Sequence, residues 1–373
     1  MRILVAIGTR PEIIKLAPVV AALRAGHDVH VVATGQHYDA SLTDAFYEAL
    51  GLVPDERWQL QGREAERLGA LLQGAHEVVV AQRPDAVLVL GDTHTVPLFG
   101  LAARAHQVPV IHVEAGLRSF NETSTEEVNR RVAAAVTGLH LAPTERAAGF
   151  LRAEGVDPAR IHVVGNPVID ALVGLGVERR SRTERAGVVF TAHRATNVDD
   201  PARLATLVET AVALAERCGP VRFPVHPRTA ARLEATGLHR RLVEGGVARC
   251  EPLPYREMLE AIAASAVVVT DSGGLQEEAA YFGVPVVVLR DTTPRWEGVD
   301  AGSAVLCGVD RDAVLAAVAR LTSPAEQARI EAAACPYGDG TTAARIAALL
   351  DDPAVWERLR LRPPQPVGLL QPA

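Results

Sequence analysis

Short apolar runs that alternate with helix-length segments constrain this chain more than any other feature. In the first half the runs are 2–7, Val29–Ala33, Ala86–Leu90, Pro109–Val113, Leu139–Ala142 and Ile161–Val164. In the second they are Gly187–Thr191, Val221–Val225, Ala266–Thr270, Val284–Leu289 and Ala304–Cys307. Runs this short and this apolar, separated by helical stretches such as Pro201–Arg217 and Arg256–Ala264, read as strands buried on both faces, and therefore as parallel sheets. At 373 residues, 48% of them apolar, the chain exceeds a single ordinary core. The rhythm pauses at Gly165-Asn166-Pro167 and at the arginine-rich stretch Glu178–Arg185, which reads as a solvated loop. The expected architecture is α/β, with two Rossmann-like domains at 1–170 and 171–350. A last piece, 351–373, reads as a helix over Ala354–Arg360 and an irregular tail with Pro363, Pro364 and Pro366.

The unusual polar residues fall directly after the apolar runs: Gly8-Thr9-Arg10, Thr34-Gly35-Gln36-His37, Gly91-Asp92-Thr93, Glu114-Ala115-Gly116, His193-Arg194, His226-Pro227, Asp271-Ser272-Gly273-Gly274 and Arg290-Asp291-Thr292-Thr293. In doubly wound sheets the carboxyl edge of the strands is the ligand crevice, so two such sheets facing one another predict a ligand between the domains. Turn chemistry alone accounts for any one of these loops, but not for their shared position. A formal charge of −7 excludes nucleic acid as the main partner, because no basic stripe is available for a phosphate backbone. Cys218, Cys250, Cys307 and Cys335 have neither disulfide-framework nor zinc spacing. The N-terminus does not read as a signal peptide and no apolar run reaches membrane-spanning length, so a cytoplasmic protein without membrane contact is expected.

Lys15 is the only lysine; every other cation among the 38 Lys and Arg residues is arginine. An ammonium is a compact point charge that a guanidinium replaces poorly at a tight anionic site. Lys15 and Arg10 follow the first strand and flank Pro11, at the start of a helix running to about Leu23, a ready place for an anion. A lysine that serves such an anion should be dispensable for folding, so Lys15→Ala is expected to leave folding unaffected. Asp271-Ser272-Gly273-Gly274-Leu275-Gln276-Glu277-Glu278-Ala279 is a second anion site in outline. Its glycines let backbone N–H groups approach a phosphate, Ser272 adds a hydroxyl, and a helix N-terminus points at the same place. Glu278 lies where a carboxylate can accept both hydroxyls of a ribose, whereas Glu277 reads as a mere complement to the helix dipole. A nucleoside diphosphate is implied. No Gly-x-Gly-x-x-Gly follows the first strand, which argues against a dinucleotide cofactor.

Further segments stand in the same order: Gly-Thr-Arg-Pro-Glu (8–12) with Lys15, Thr-Gly-Gln-His (34–37), Gly-Asp-Thr (91–93), His-Val-Glu-Ala-Gly-Leu-Arg (112–118) and Glu-Glu-Val-Asn-Arg (126–130). Gly-Asn-Pro-Val-Ile-Asp (165–170), Thr-Ala-His-Arg (191–194), the 271–279 segment and Arg-Asp-Thr-Thr-Pro-Arg (290–295) complete the set. From Arg2 to about Ile346 the chain resembles the UDP-N-acetylglucosamine 2-epimerase family. That resemblance implies a GT-B-type fold, a UDP-sugar substrate between the domains, no cofactor and a homodimer. It also implies inversion at C2 by elimination of UDP and re-addition through a 2-acetamidoglucal. Matching positions make Asp92, Glu114 and Glu126 the catalytic carboxylates and His193 a polar group at the reacting centre. Arg10, Lys15, Arg130, His226 and Arg295 match contacts to the substrate and its diphosphate; Ser272, Gly273, Gly274 and Glu278 match the rest of the UDP site, and Met258 lies against uracil.

Plainer readings accompany several of these positions. Glu126 and Arg130, four apart on one helix, could form a minor surface ion pair. His112, inside an apolar run, reads as a core histidine. The chain also departs from the family pattern. Ala195-Thr196 stands where a glutamate usually precedes the asparagine, and Thr125 replaces a proline. Tyr38-Asp39-Ala40 replaces residues that in many bacterial members hold a second, activating UDP-N-acetylglucosamine, which argues against such activation. The alternatives are a hydrolysing relative releasing N-acetylmannosamine, an epimerase for another UDP-2-acetamido sugar, and a silent nucleotide-sugar binder that would lack one of the carboxylates.

Overall fold

The computed structural model describes residues 1–35, 47, 48 and 50–361. Contacts divide the chain into two units, one of Met1–Leu117, Glu122–Pro167 and Thr341–Ala373, the other of Arg118–Asn121 and Val168–Gly340.

In the first unit, β1 (Arg2–Ile7), β2 (Asp28–Ala33), β3 (Glu56–Arg57), β4 (Ala86–Leu90), β5 (Val110–Val113), β6 (Leu139–Ala142) and β7 (Ile161–Val163) form one sheet. Its order is β3-β2-β1-β4-β5-β6-β7 and every pairing is parallel. The continuous apolar runs have the expected cause: both faces are covered. Ile3, Val5 and Ile7 of β1 pack into a cluster with the helices Arg10–Leu23 and Thr342–Asp351, while Leu4 and Ala6 pack against the helices Glu64–Gln82 and Thr95–Ala105. The chain's last described helices return to this unit: Ala343, Ile346 and Leu350, then Val355 and Leu359 of the helix Pro353–Leu359, are buried in its core.

The second unit repeats the plan with β8 (Val188–Thr191), β9 (Val221–Pro224), β10 (Ala248–Cys250), β11 (Val267–Thr270), β12 (Val286–Val288) and β13 (Ala304–Leu306). The order is β10-β9-β8-β11-β12-β13, again all parallel. Val188 and Phe190 of β8 enter one apolar cluster and Val189 the other, so this sheet too is covered on both faces. The segment Arg118–Asn121 belongs here by its contacts: the Thr292 hydroxyl donates to the Ser119 carbonyl at 2.7 Å and the Trp296 indole to the Arg118 carbonyl at 3.0 Å.

The solvated-loop reading of Glu178–Arg185 needs correction at its last residue. The Arg185 side chain is buried, and its guanidinium donates to the carbonyls of Arg180, Phe282 and Gly283. Phe282 and Gly283 end the helix Gly273–Phe282, whose last carbonyls lack intrahelical donors, so this arginine works as a cap rather than as a solvated charge.

Candidate active site

Each sheet reverses direction once: β1 leads outward to β2 while β4 continues the other way, and β8 and β11 stand in the same relation. Such switch points open a crevice at the strand carboxyl ends, and the conspicuous polar residues gather there.

In the first unit the loops after β1, β4 and β5 supply the groups. Glu114, just past β5, is 4% exposed and has φ +62, a left-handed conformation that a non-glycine residue seldom adopts. Strain of this kind costs about 1–3 kcal/mol and collects at functional sites. Gly116 lets the chain leave this turn: at φ +87 an added Cβ would lie 2.3 Å from the Ala147 carbonyl oxygen. The Glu114 carboxylate is held on one oxygen, Oε1, which accepts from Lys15 Nζ and Asn166 Nδ2, both at 2.6 Å. Lys15 is 5% exposed and one half of a buried ion pair, which counts against the expectation that its loss would leave folding unaffected. Asp92, after β4, accepts from Arg130, whose Nη2 lies 2.5 Å from Oδ2. The Arg130 Nη1 reaches Glu127 at 2.9 Å, and with side-chain exposures of 6% and 1% this pair is no surface feature. Glu126 is half-buried on the same helix, Thr125–Val136, and accepts from Ser124 Oγ at 2.5 Å. Arg10 is exposed at the first residue of its helix. His112 is the core histidine expected, buried and bonded to the Gly91 carbonyl at 2.8 Å.

Glu12 is a further buried carboxyl, 2% exposed, accepting the Gly8 N–H at 2.5 Å and the Thr9 hydroxyl at 3.2 Å. Burial lifts its pKa from 4.5 to about 7 against those hydrogen bonds, and the nearby Asp92 charge adds to the lift. A carboxyl with a folded pKa above its unfolded one contributes stability that is complete below about pH 4.5 and lost as pH rises through about 7. Glu12→Gln keeps the acceptor for Gly8 and removes the titration, so the variant should gain about 3 kcal/mol relative to wild type between pH 5 and pH 9. Urea unfolding at both values checks this; parallel pH curves for the two proteins would rule it out.

In the second unit the register pairs Thr191 of β8 with Thr270 of β11, their hydroxyls 2.6 Å apart. The residues just beyond these two strands meet in consequence. Asp271 is fully buried and accepts His193 Nδ1 at 2.9 Å, the His193 and Arg194 backbone N–H groups, and Asn197 Nδ2 at 3.1 Å. Burial alone would raise this carboxyl; the imidazole and the converging N–H groups outweigh it and hold it below the ordinary aspartate value. His226 caps the helix Pro227–Thr236, its ring 5.5 Å from that of His193. Ser272 immediately precedes the helix Gly273–Phe282, and the Ser272 N–H donates to Thr270 Oγ1. Gly273 leaves room for the Arg295 guanidinium, whose Cζ would lie 3.2 Å from a Cβ added there. Arg295 donates to Glu277 at 2.9 Å, so Glu277, 1% exposed, is an anchor for that cation and not a mere complement to the dipole. A guanidinium held beside the positive end of a helix forms a setting for an anion. Glu278, one turn on from Gly274, accepts from Tyr255 Oη at 3.0 Å, and burial together with this carboxylate pushes the phenol well above its ordinary pKa. Met258, on the same helix as Tyr255, packs partly buried beside it.

The family sequence model described as UDP-N-acetylglucosamine 2-epimerase matches residues 21–351. The chain belongs to this family of isomerases. The UDP-N-acetylglucosamine 2-epimerase of Methanocaldococcus jannaschii is 36% identical over 367 residues, 94% of this chain and 99% of that one. The UDP-2,3-diacetamido-2,3-dideoxy-D-glucuronate 2-epimerase of Pseudomonas aeruginosa is 37% identical over 326 residues, 84% of this chain and 90% of that one. The solved structure of the Neisseria meningitidis UDP-GlcNAc 2-epimerase bound to UDP-GlcNAc is 30% identical, with a TM-score of 0.84 over 94% of this chain and 100% of that one. The fold is therefore the GT-B type of the 2-epimerases, with two Rossmann-like parallel sheets.

Within this 2-epimerase, sequence reasoning missed Glu12, Asn166, Asn197, Tyr255 and the role of Asp271. Glu12, Asn166 and Asp271 stand inside segments that carried the family resemblance, Asn197 just after one and Tyr255 outside them all, and none has a motif spacing of its own. Gln36, His37, Tyr38 and Asp39 lie outside the described residues, as do Pro363, Pro364 and Pro366. Among the described residues no group of three His, Cys, Asp or Glu side chains could hold a metal ion, and no helix is long and apolar enough to cross a membrane.

Proposed function

We propose that this 2-epimerase interconverts UDP-N-acetylglucosamine and UDP-N-acetylmannosamine by elimination and re-addition of UDP. A base takes the C2 proton while the C1–O bond breaks with its electron pair on UDP; a C1=C2 double bond forms, giving 2-acetamidoglucal. Return of UDP to C1 and of a proton to the opposite face of C2 completes the inversion. Such a step needs a carboxylate near the sugar and fixed cations near the departing diphosphate.

One observation supports the reading above the rest: the strained, buried Glu114, whose Oε1 takes both Lys15 and Asn166 and so leaves Oε2 for a substrate. In this assignment Glu114, Asp92 and Glu126 are the proton-handling carboxylates, with Arg130 holding Asp92 in place. Lys15 and Arg10 carry charge toward the diphosphate, as do Arg295, His226 and the Ser272–Gly274 turn. Glu278, steadied by Tyr255, takes the ribose, Met258 lies against uracil, and His193 serves the reacting centre.

Incubation with UDP-N-acetylglucosamine in deuterated water, followed by proton NMR, tests this. The expected result is deuterium at C2 of both sugars, with the glucose-configured one dominant at equilibrium. No exchange at C2 overturns the proposal. Deuterium entry with free N-acetylmannosamine as the accumulating product replaces it by the hydrolysing reading.

A further inference from the structure

Asp271 opens the Asp-Ser-Gly-Gly segment, yet the anion-binding logic of that segment uses only Ser272 and the two glycines. The Asp271 side chain is fully buried, and four donors converge on it across the switch point between β8 and β11. Two of them, the Arg194 N–H at 2.9 Å and Asn197 Nδ2 at 3.1 Å, meet at Oδ2, and the His193 N–H is shared between Oδ2 at 3.0 Å and Oδ1 at 3.1 Å. Oδ1 faces the imidazole, with His193 Nδ1 at 2.9 Å. An ionised carboxylate only accepts, so Nδ1 must carry the hydrogen, and a neutral His193 must present a bare Nε2. The ring is about one-third exposed, so Nε2 is within reach of a ligand.

We infer that Asp271 is a positioning residue that fixes the tautomer of His193, so that Nε2 accepts rather than donates at the reacting centre. The role at the reacting centre rests on the proposed epimerase function; the tautomer itself does not. Aspartate is required by polarity rather than shape. In Asp271→Asn the amide oxygen belongs at the Oδ2 position, where the Arg194 N–H and Asn197 Nδ2 both donate and have no other oxygen of this side chain in reach, while the shared His193 N–H can stay with it; this turns the amide NH2 toward Nδ1. Nδ1 then becomes the acceptor and the hydrogen moves to Nε2, the wrong tautomer for a group that must accept.

Two readouts test this. Long-range nitrogen–proton NMR on histidine-labelled protein, at about pH 8.5 where an ordinary imidazole is neutral, should show His193 with Nδ1–H in wild type and Nε2–H in Asp271→Asn. C2 exchange in deuterated water should fall about a hundredfold or more in kcat, with KM within about threefold. His193→Gln combined with Asp271→Asn should be no slower than His193→Gln alone, as expected for residues acting as one unit. Wild-type protein with Nε2–H overturns the inference without any variant, and so does an Asp271→Asn enzyme with unchanged kcat. If wild type shows no C2 exchange, the proposed function fails, while the tautomer measurement still decides the role of Asp271.

Discussion

Lys15→Met should lower stability by about 3–5 kcal/mol and kcat/KM by about two orders of magnitude or more. The two effects have one cause. Lys15 and Glu114 are almost sealed from water and 2.6 Å apart, so removing the ammonium leaves a carboxylate charged where little water reaches it. A shift of the urea midpoint at unchanged slope measures the first effect. Initial rates, taken where circular dichroism shows the variant folded, measure the second. Lys15→Arg sharpens the test, because it keeps the charge while replacing a point by a planar fork; Asn166 already shares the target oxygen, so the fork does not fit. Wild-type stability in Lys15→Met would show that the pair contributes nothing, and wild-type rates in Lys15→Arg would show that any cation serves.

The lone lysine was legible in the sequence as a site, but its partner was not. Lys15 and Glu114 lie 99 positions apart, and Glu114 could be recognised only as a polar residue after a buried strand. Spacing shows where a charge emerges from the fold, not which charge meets it, since that depends on strand order. The same limit hid Asp271 and His193, 78 apart, which meet because β8 and β11 are neighbours in register. Strands were readable where both faces are covered, as in β1, β4, β5, β8 and β11. Of the edge strands, β7 and β13 were readable as apolar runs but two were not: β3 is two residues, Glu56–Arg57, and β10 includes a polar Arg249, so neither interrupts the chain as an apolar run. Composition misled at Arg185 and Glu277. An arginine in a charged run reads as solvated and an acid near a helix N-terminus as a complement to the dipole, yet the first caps a helix and the second anchors Arg295. The return of the last helices to the first unit had no local sign either, since Ile346 and Leu350 form an apolar stripe that any sheet face could cover.

Glu114→Gln is the sharpest test of the chemistry. Its amide oxygen should take the Oε1 position, because Lys15 and Asn166 both donate there, and the NH2 group then replaces the basic oxygen Oε2. Positioning is retained while the proton acceptor is removed, so C2 exchange should fall about a thousandfold, within the usual range for loss of a general base, and UDP affinity should change by less than about threefold. The variant should also be less stable than wild type, for the lysine now lacks its counter-charge. Lys15→Met with Glu114→Gln removes both charges, and it should unfold at a higher urea concentration than either single variant while remaining inactive, because a buried pair costs least when both members go together. Restored stability without restored exchange separates the two jobs of this pair. Near-wild-type exchange in Glu114→Gln would instead move the base to Asp92 or Glu126 and leave the strained turn at Glu114 with a purely structural purpose.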